Sequence, residues 1–309
     1  MDKLIILTGP TAVGKSELSI KLAKAINGEI VSADSIQVYK ELNIGSAKIT
    51  PDEMQSIPHY LIDVLEPTED FNVYIFKKMA NAAIEDIISR GKVPIIVGGT
   101  GFYIQSVIYD IDFNEEDNSK VRLELEELAQ AKGNDYLHKE LLMVDKASAM
   151  KIHPNNTKRV IRALEYYRLN NKPISLHNET EKSKEAVYDV KYFVLDDKRD
   201  LLYERINMRV DKMIELGLVD EVRTLMDKGL DSSYNSMQGI GYKEIVEYLS
   251  GKCSLDEAID NIKKNTRHFA KRQLTWFRRE ENVNWIPKYE YDYDDERILS
   301  HMIDIIGEI

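Results

Sequence analysis

Three clusters of residue types could act together on a phosphate ester. Gly9-Pro10-Thr11-Ala12-Val13-Gly14-Lys15-Ser16 fits the pattern GxxxxGK(S/T). In such a loop the glycines let backbone N–H groups converge on an anion, Lys15 brings a positive charge, the next helix adds its N-terminal dipole, and Ser16 can hold a magnesium ion. A polyphosphate or diphosphate ligand is expected. Asp34, in Glu29-Ile30-Val31-Ser32-Ala33-Asp34-Ser35, follows a short apolar run and could take a proton from a nucleophile approaching that ligand. An Asp at its ordinary pKa is already ionised at neutral pH. The same residue suits a helix cap or an Asx turn, and spacing alone does not separate these roles. The third cluster, Gly98-Gly99-Thr100-Gly101, stands where many P-loop phosphotransferases place a magnesium-positioning Asp. Its glycines allow close backbone approach to a ligand and Thr100 offers a hydroxyl, although Gly-Gly also serves as a plain turn.

These clusters need strands to carry them to one edge of a sheet. Leu4–Thr8, Glu29–Ala33 and Val93–Val97 read as buried strands that end at the three clusters, and His59–Val64 and Val190–Leu195 read as further strands. Ligands of open α/β sheets sit in the crevice beyond the strands' carboxyl ends. Leu18, Leu22, Ala25 and Ile26 mark a helix after the loop, closed by Gly28, and Val73, Phe76, Ala80, Ala83, Ile84, Ile87 and Ile88 mark another beginning after Asn72. Between about 113 and 187 strand signals vanish and helical patterns take over. The fold class expected is α/β: a P-loop NTPase-like parallel sheet flanked by helices (1–112 and 188–309), with an inserted helical subdomain (113–187).

GPTAVGKS, VSADSIQVYK, PHYLID, GGTGFY, RVIRALE, QGIGYKE and KRQLTWFRR follow one another along nearly the whole chain. In that order they resemble the motifs of bacterial tRNA dimethylallyltransferases. The resemblance implies transfer of a dimethylallyl group from dimethylallyl diphosphate to N6 of the adenosine immediately 3′ of the anticodon, with release of diphosphate. It implies that Asp34 is the base, that Thr100 lies near the reacting centre, and that Arg209 reaches the diphosphate, with Arg205 one turn away as the alternative. An adenine stacked in the anticodon loop must be drawn out before its amine can react. By resemblance Asp34, Ser35, Ile36 and Gln37 contact the flipped base and its neighbours, and the inserted subdomain holds the anticodon stem through Arg122, Lys158, Arg159, Val160, Ile161 and Arg162. Two positions depart from the family pattern: a histidine pair is His59-Tyr60 here, and Asn155-Asn156 stands where an Asn-Asp pair is expected. His59 is read as a packing residue.

A formal net charge of −11 is a poor match for a polyanionic partner, so the distribution of charge matters. Lys263 to Arg279 holds Lys264, Arg267, Lys271, Arg272 and Arg278 with no intervening acid and interleaves Phe269, Trp276 and Phe277, which suits an RNA-facing helix. Lys271, Arg272 and Arg278 are its candidate contacts. Acids gather elsewhere, at Glu115-Glu116-Asp117, Glu124–Glu127 and Asp292–Glu296. The single Cys253 cannot form an internal disulfide, and no Cys/His cluster has zinc spacing. With no apparent secretion signal or membrane span, a cytoplasmic protein is expected, monomeric or weakly associating, with magnesium as its cofactor. Three rivals remain: a small-molecule kinase, a prenyltransferase acting on free AMP or ADP, and a non-catalytic RNA-binding module.

Overall fold

The computed structural model describes residues 1–113, 119–182 and 184–307. Glu115, Glu116 and Asp117 of the expected acidic cluster lie outside the described residues. The chain forms two compact units, Met1–Ile108 with Ala186–Ile309, and Tyr109–Glu185, against the insertion of 113–187 expected from sequence.

In the first unit the N-terminal part runs β1 (Lys3–Thr8), α1 (Lys15–Ala25), β2 (Gly28–Ala33), α2 (Pro51–Met54), β3 (His59–Tyr60), α3 (Val73–Ser89), β4 (Val93–Gly98) and α4 (Gly101–Ile108). The second unit holds α5 (Ser119–Lys132), α6 (Asn134–Val144), α7 (Lys146–Lys151), α8 (Thr157–Asn170) and α9 (Ile174–Lys182). The first unit then resumes with β5 (Asp189–Asp196), α10 (Arg199–Glu215), α11 (Leu218–Asp227), α12 (Tyr242–Leu249), α13 (Leu255–Phe277), β6 (Val283–Pro287) and α14 (Asp295–Ile306).

The strands form one parallel sheet in the order β3-β2-β4-β1-β5-β6. Leu4 to Leu7 of β1 are wholly buried, as a central strand covered on both faces requires. The chain leaves β1, crosses through α1 and enters β2 on the far side of β4. That crossing opens the crevice between β1 and β4 where the loop and both other clusters converge. Helix α3 begins where Asn72 Oδ1 accepts from Ile75 N at 3.0 Å, and it buries Phe76, Ala80, Ala83, Ile84 and Ile87. The long α13 starts at a capping box formed by Ser254 and Glu257.

The strand expected over His59–Val64 is shorter. Pairing with β2 ends at Tyr60, because Leu61 and Asp63 take positive φ (63° and 56°). The backbone instead bonds a different partner: Asp63 N donates to Gln37 O and Val64 N to Val38 O, at 3.1 and 2.9 Å. This ties β3 to the loop that follows Asp34.

Within the helical unit, Leu125, Leu137, Leu141, Ala149, Val160, Ile161, Ala163 and Leu164 make a core of their own. Val160 and Ile161, expected among the RNA contacts, are 0% and 5% exposed. They belong to the apolar stripe of α8, so their side chains serve packing and not RNA contact. The neighbouring Lys158 and Arg159 are exposed. Arg122 and Arg162 share Glu165, at 3.5 and 2.9 Å, while keeping about half of each side chain in solvent. Among the described residues no helix is long and apolar enough to cross a membrane.

One buried charge on β2 is fully compensated. Glu29 accepts from Arg90 Nη1 and Nη2 (2.7 and 2.6 Å), Lys92 Nζ (2.6 Å) and Tyr60 OH (2.8 Å). These donors outweigh the cost of burial and hold its carboxyl down at about 2, from an ordinary 4.5. Its stabilisation is complete above pH 4.5 and is lost as the pH falls toward 2. Glu29→Gln is expected to cost about 2 kcal/mol in urea unfolding at neutral pH, a figure reduced for the partial exposure of Arg90 and Lys92. The variant's stability should also vary less than the wild type's over that acid range.

Candidate functional site: a cationic cavity at the sheet edge

The phosphate loop is shaped by backbone that only certain residues tolerate. A side chain on Gly9 would place its Cβ 2.5 Å from Leu195 O, so β5 and the loop meet because Gly9 has none. Gly14 takes φ +95° at the entry to α1, and Val13 is buried beneath the turn. Lys15 folds back over the loop, its Nζ donating to Gly9 O and Pro10 O at 3.0 and 2.8 Å. At β4 the approach is closer still: a Cβ on Gly98 would lie 2.4 Å from Ala33 O, and one on Gly99 would lie 2.0 Å from Gln273 Nε2. The glycines expected to meet a ligand thus also let β4 press on β2 and α13 press on the Gly98–Gly101 turn.

Thr11, Lys15, Ser16, Asp34, Ser35, Ile36, Gln37, Thr100, Arg209 and Arg272 line one cavity of about 540 Å³. Gly9, Pro10, Ala12, Val13 and Gly14 build the loop behind that lining. Lys271 and Arg278 are exposed and do not line it. Of the two arginines that the sequence left as alternatives, Arg209 enters the cavity, whereas Arg205 pairs with Asp197 at 2.6 Å. Asp34 makes the Asx turn foreseen as its alternative role: Oδ1 accepts from Ile36 N and Gln37 N at 2.8 and 3.1 Å. That turn does not remove it from the cavity; it fixes the carboxylate in the wall. His59 Nδ1 lies 2.8 Å from Ile57 O, in keeping with a packing role, yet its ring also lines the cavity, and burial lowers its pKa.

The electrostatics favour an anion. Burial, and after it the Arg209 charge, lower the Lys15 pKa to about 7, with Asp34 opposing both. Arg209 is likewise pushed down by burial and supported by Asp34. Among the described residues, Lys15, Arg209 and the more exposed Arg272 share this cavity with one carboxylate, Asp34, an arrangement that an incoming diphosphate would complete. Part of the remaining wall is apolar, supplied by Ile49, Ile62, Phe71, Val97, Val210 and Phe269, and suits a hydrocarbon group attached to that anion.

Among the lining residues that sequence reasoning missed, Gln273 joins two of the clusters. Gln273 on α13 is 5% exposed, accepts from Thr11 N through Oε1 at 2.9 Å, and donates from Nε2 to Gly99 O at 3.1 Å. It bridges the phosphate loop to the Gly98–Gly101 turn. Its signal was its register: it falls on the same helical stripe as Ile262, Thr266 and Phe269, where a polar side chain needs partners. The basic neighbours on either side of α13 hid it.

A P-loop at the switch point of a parallel sheet, with a carboxylate and apolar residues in the same cavity wall, is the arrangement of a P-loop group-transfer protein. The chain belongs to the tRNA dimethylallyltransferase family. A model of the family described as IPP transferase matches residues 37–280. The tRNA dimethylallyltransferase of Lachnoclostridium phytofermentans is 57% identical over 100% of this chain and 98% of its own length. That of Acetivibrio thermocellus is 49% identical over 98% and 96%. Among solved structures, the full-length tRNA isopentenylpyrophosphate transferase from Bacillus halodurans is 43% identical, covers 99% of this chain and 97% of its own, and superposes with a TM-score of 0.73. A eukaryotic dimethylallyltransferase described as acting on tRNA is 33% identical over 89% of this chain and 70% of its own, with a TM-score of 0.76.

The lowered pKa of Lys15 carries a sign that calorimetry can read. At pH 8 the free amine is largely neutral, and a bound diphosphate would restore its charge, so binding should take up a proton; at pH 6 it should not. Titration of inorganic diphosphate in buffers of different ionisation enthalpy should show uptake at pH 8 in the wild type. Lys15→Met should abolish that uptake and weaken binding about 10-fold or more.

Proposed function

We propose that this chain transfers a dimethylallyl group from dimethylallyl diphosphate to N6 of the adenosine 3′ of the anticodon in tRNA, releasing diphosphate. The observation that carries the reading is the placement of Lys15, Arg209 and Asp34 in one cavity beside an apolar wall. As the allylic C–O bond breaks, negative charge collects on the departing diphosphate and positive charge spreads over the allyl carbons. The phosphate-loop N–H groups, Lys15 and Arg209 stabilise the former. The N6–C1 bond forms as the C1–O bond is lost, and the N6 proton passes to the Asp34 carboxylate. The two backbone donors hold Oδ1, and Oδ2 is the oxygen assigned to that proton. Thr100, at the turn beside Asp34, is assigned to orient the amine.

The donor set fits a magnesium ion carried mainly by its substrate. Among the described residues no group of three or more His, Cys, Asp or Glu could hold a metal, and no carboxylate occupies the Gly98–Gly101 turn. Ser16, at the start of α1 and in the cavity wall, would hold magnesium together with diphosphate oxygens. The ion would supply further neutralisation of the leaving group.

For the acceptor, the exposed Lys271 and the cavity-lining Arg272 continue the positive charge of the site onto the surface of α13, which favours RNA over a free nucleotide. Lys158, Arg159, Arg122 and Arg162 of the helical unit are assigned to the anticodon stem, and Gln37 to a base edge. The chain works as a monomer in the cytoplasm, where its RNA acceptor is found.

Label transfer from radiolabelled dimethylallyl diphosphate, with magnesium, tests the reading. Label is expected on unmodified tRNA and on an anticodon stem-loop carrying the 3′ adenosine. Label on AMP or ADP instead would assign the chain to nucleotide prenylation, and label on no acceptor would overturn the transferase reading.

A further inference from the structure

The sequence QGIGYKE has no part in the chemistry above, and residues 38–50 of the loop after Asp34 have none either, yet one contact joins them. Residues 34–50 leave the sheet, wrap past the cavity and return, contributing Ser35, Ile36, Gln37, Gly45, Ser46 and Ile49 to its wall. The segment's first residues bridge to 63–65, through Tyr39 and Leu65, but residues 41–50 join no strand and must hold their shape by other contacts. Inside the loop Gln37 Nε2 donates to Ser46 O and Ala47 O, both at 3.2 Å, and Ser46 Oγ donates to Leu42 O at 2.6 Å. The side chain assigned to a base edge is therefore aligned by the backbone of residues 46 and 47.

That backbone is in turn fixed from outside. Glu221, on α11, receives Asn43 N and Ile44 N on Oε2 at 3.1 and 2.8 Å, and Gly45 N and Tyr242 OH on Oε1 at 3.1 and 2.7 Å. Two oxygens offer about four acceptor sites, so these four donors fill the carboxylate. An amide in its place would offer one oxygen and point N–H groups at other donors. Tyr242 is wholly buried, and its ring lies so near Gly45 that a Cβ there would sit 2.6 Å from it. Gly241, at φ +100°, turns the chain into α12 and sets that ring in place. The motif QGIGYKE thus supplies the ring, Gly45 supplies the room for it, and Glu221 locks both to α11.

We propose that Glu221 is a positioning residue for the RNA acceptor, acting through the clamp it forms with Tyr242 on residues 43–45 to hold Gln37 in the cavity wall. The proposal rests on the transferase reading. Its consequence is selective, because the phosphate loop, Lys15 and Arg209 have no contact with this carboxylate. Loosening the clamp should blur the acceptor side of the cavity and leave the diphosphate side as it was.

Two variants and two measurements test this in the full-length protein. Glu221→Gln keeps the volume and removes acceptor capacity; Tyr242→Phe keeps the ring on Gly45 and removes one donor. In steady-state transfer, Glu221→Gln should raise KM for an anticodon stem-loop about 10-fold or more and leave KM for dimethylallyl diphosphate unchanged, with Tyr242→Phe showing a smaller shift of the same kind. A fall in kcat alone, or equal changes in both KM values, is what a merely structural residue would give, and either would overturn the proposal. Amide hydrogen exchange reads the clamp without turnover. Peptides covering Asn43–Gly45 should exchange about 10-fold faster in Glu221→Gln, and those covering the phosphate loop should not. Unchanged exchange at 43–45 would overturn the proposal even with an active enzyme. A wild-type protein that transfers no label would instead sink the transferase reading, leaving the exchange result to decide the clamp.

Discussion

Lys15 and Arg209 place two half-buried cationic groups in one cavity, and most of the surrounding structure can be understood from that constraint. Burial disfavours both charges and the Arg209 charge disfavours that of Lys15, while Asp34 supports both. A pocket of this kind is incomplete until an anion enters it. The burial and the Arg209 charge that lower the Lys15 pKa both favour an anion beside it, and favour it more as negative charge gathers on a leaving group. In the proposed reaction Asp34 offsets the two cations and accepts the proton of the acceptor amine. Its Asx turn serves both ends, because the backbone donors that build the turn also keep the carboxylate in the wall.

Holding these groups within reach of one another requires backbone segments to approach more closely than side chains permit. Gly9 lies against β5, Gly98 against β2 and Gly99 against Gln273. Gln273 then ties the phosphate loop to the turn that carries Thr100, so the basic α13 is fastened to the centre of the site through a buried amide. An Ala at Gly98 or Gly99 would force backbone or a buried amide to move, which makes these glycines structural in origin and functional in effect. The sheet brings the three clusters to one edge, the glycines close the distance, and side chains from α10 and α13 complete the wall.

Much of this was legible in the residues themselves. The apolar runs before Gly9, Asp34 and Gly98 gave strands that end at the cavity, and Asn72 marked the start of α3, because local periodicity and capping are written in neighbouring residues. The helical insertion showed itself by the loss of strand signals. What stayed hidden depended on partners far away in sequence. The end of β3 at Tyr60 is set by pairing with residues 37 and 38, which His59–Val64 does not encode. Val160 and Ile161 carried a family expectation of RNA contact but obey the apolar stripe of their own helix. Arg205 and Arg209 look alike from spacing, and they are separated by the cavity that Arg209 lines and by Asp197, which pairs with Arg205. Glu221 reads as one acid on an amphipathic helix until the loop 43–45 is brought to it.

The central claim is that Asp34 takes the proton from the acceptor amine in a cavity whose cations hold the diphosphate. Single-turnover transfer by Asp34→Asn, measured beside equilibrium binding of diphosphate and of the anticodon stem-loop, tests it most directly. The account predicts a chemical step slowed about 100-fold or more, with both ligands still bound. Transfer at the wild-type rate by Asp34→Asn would contradict it.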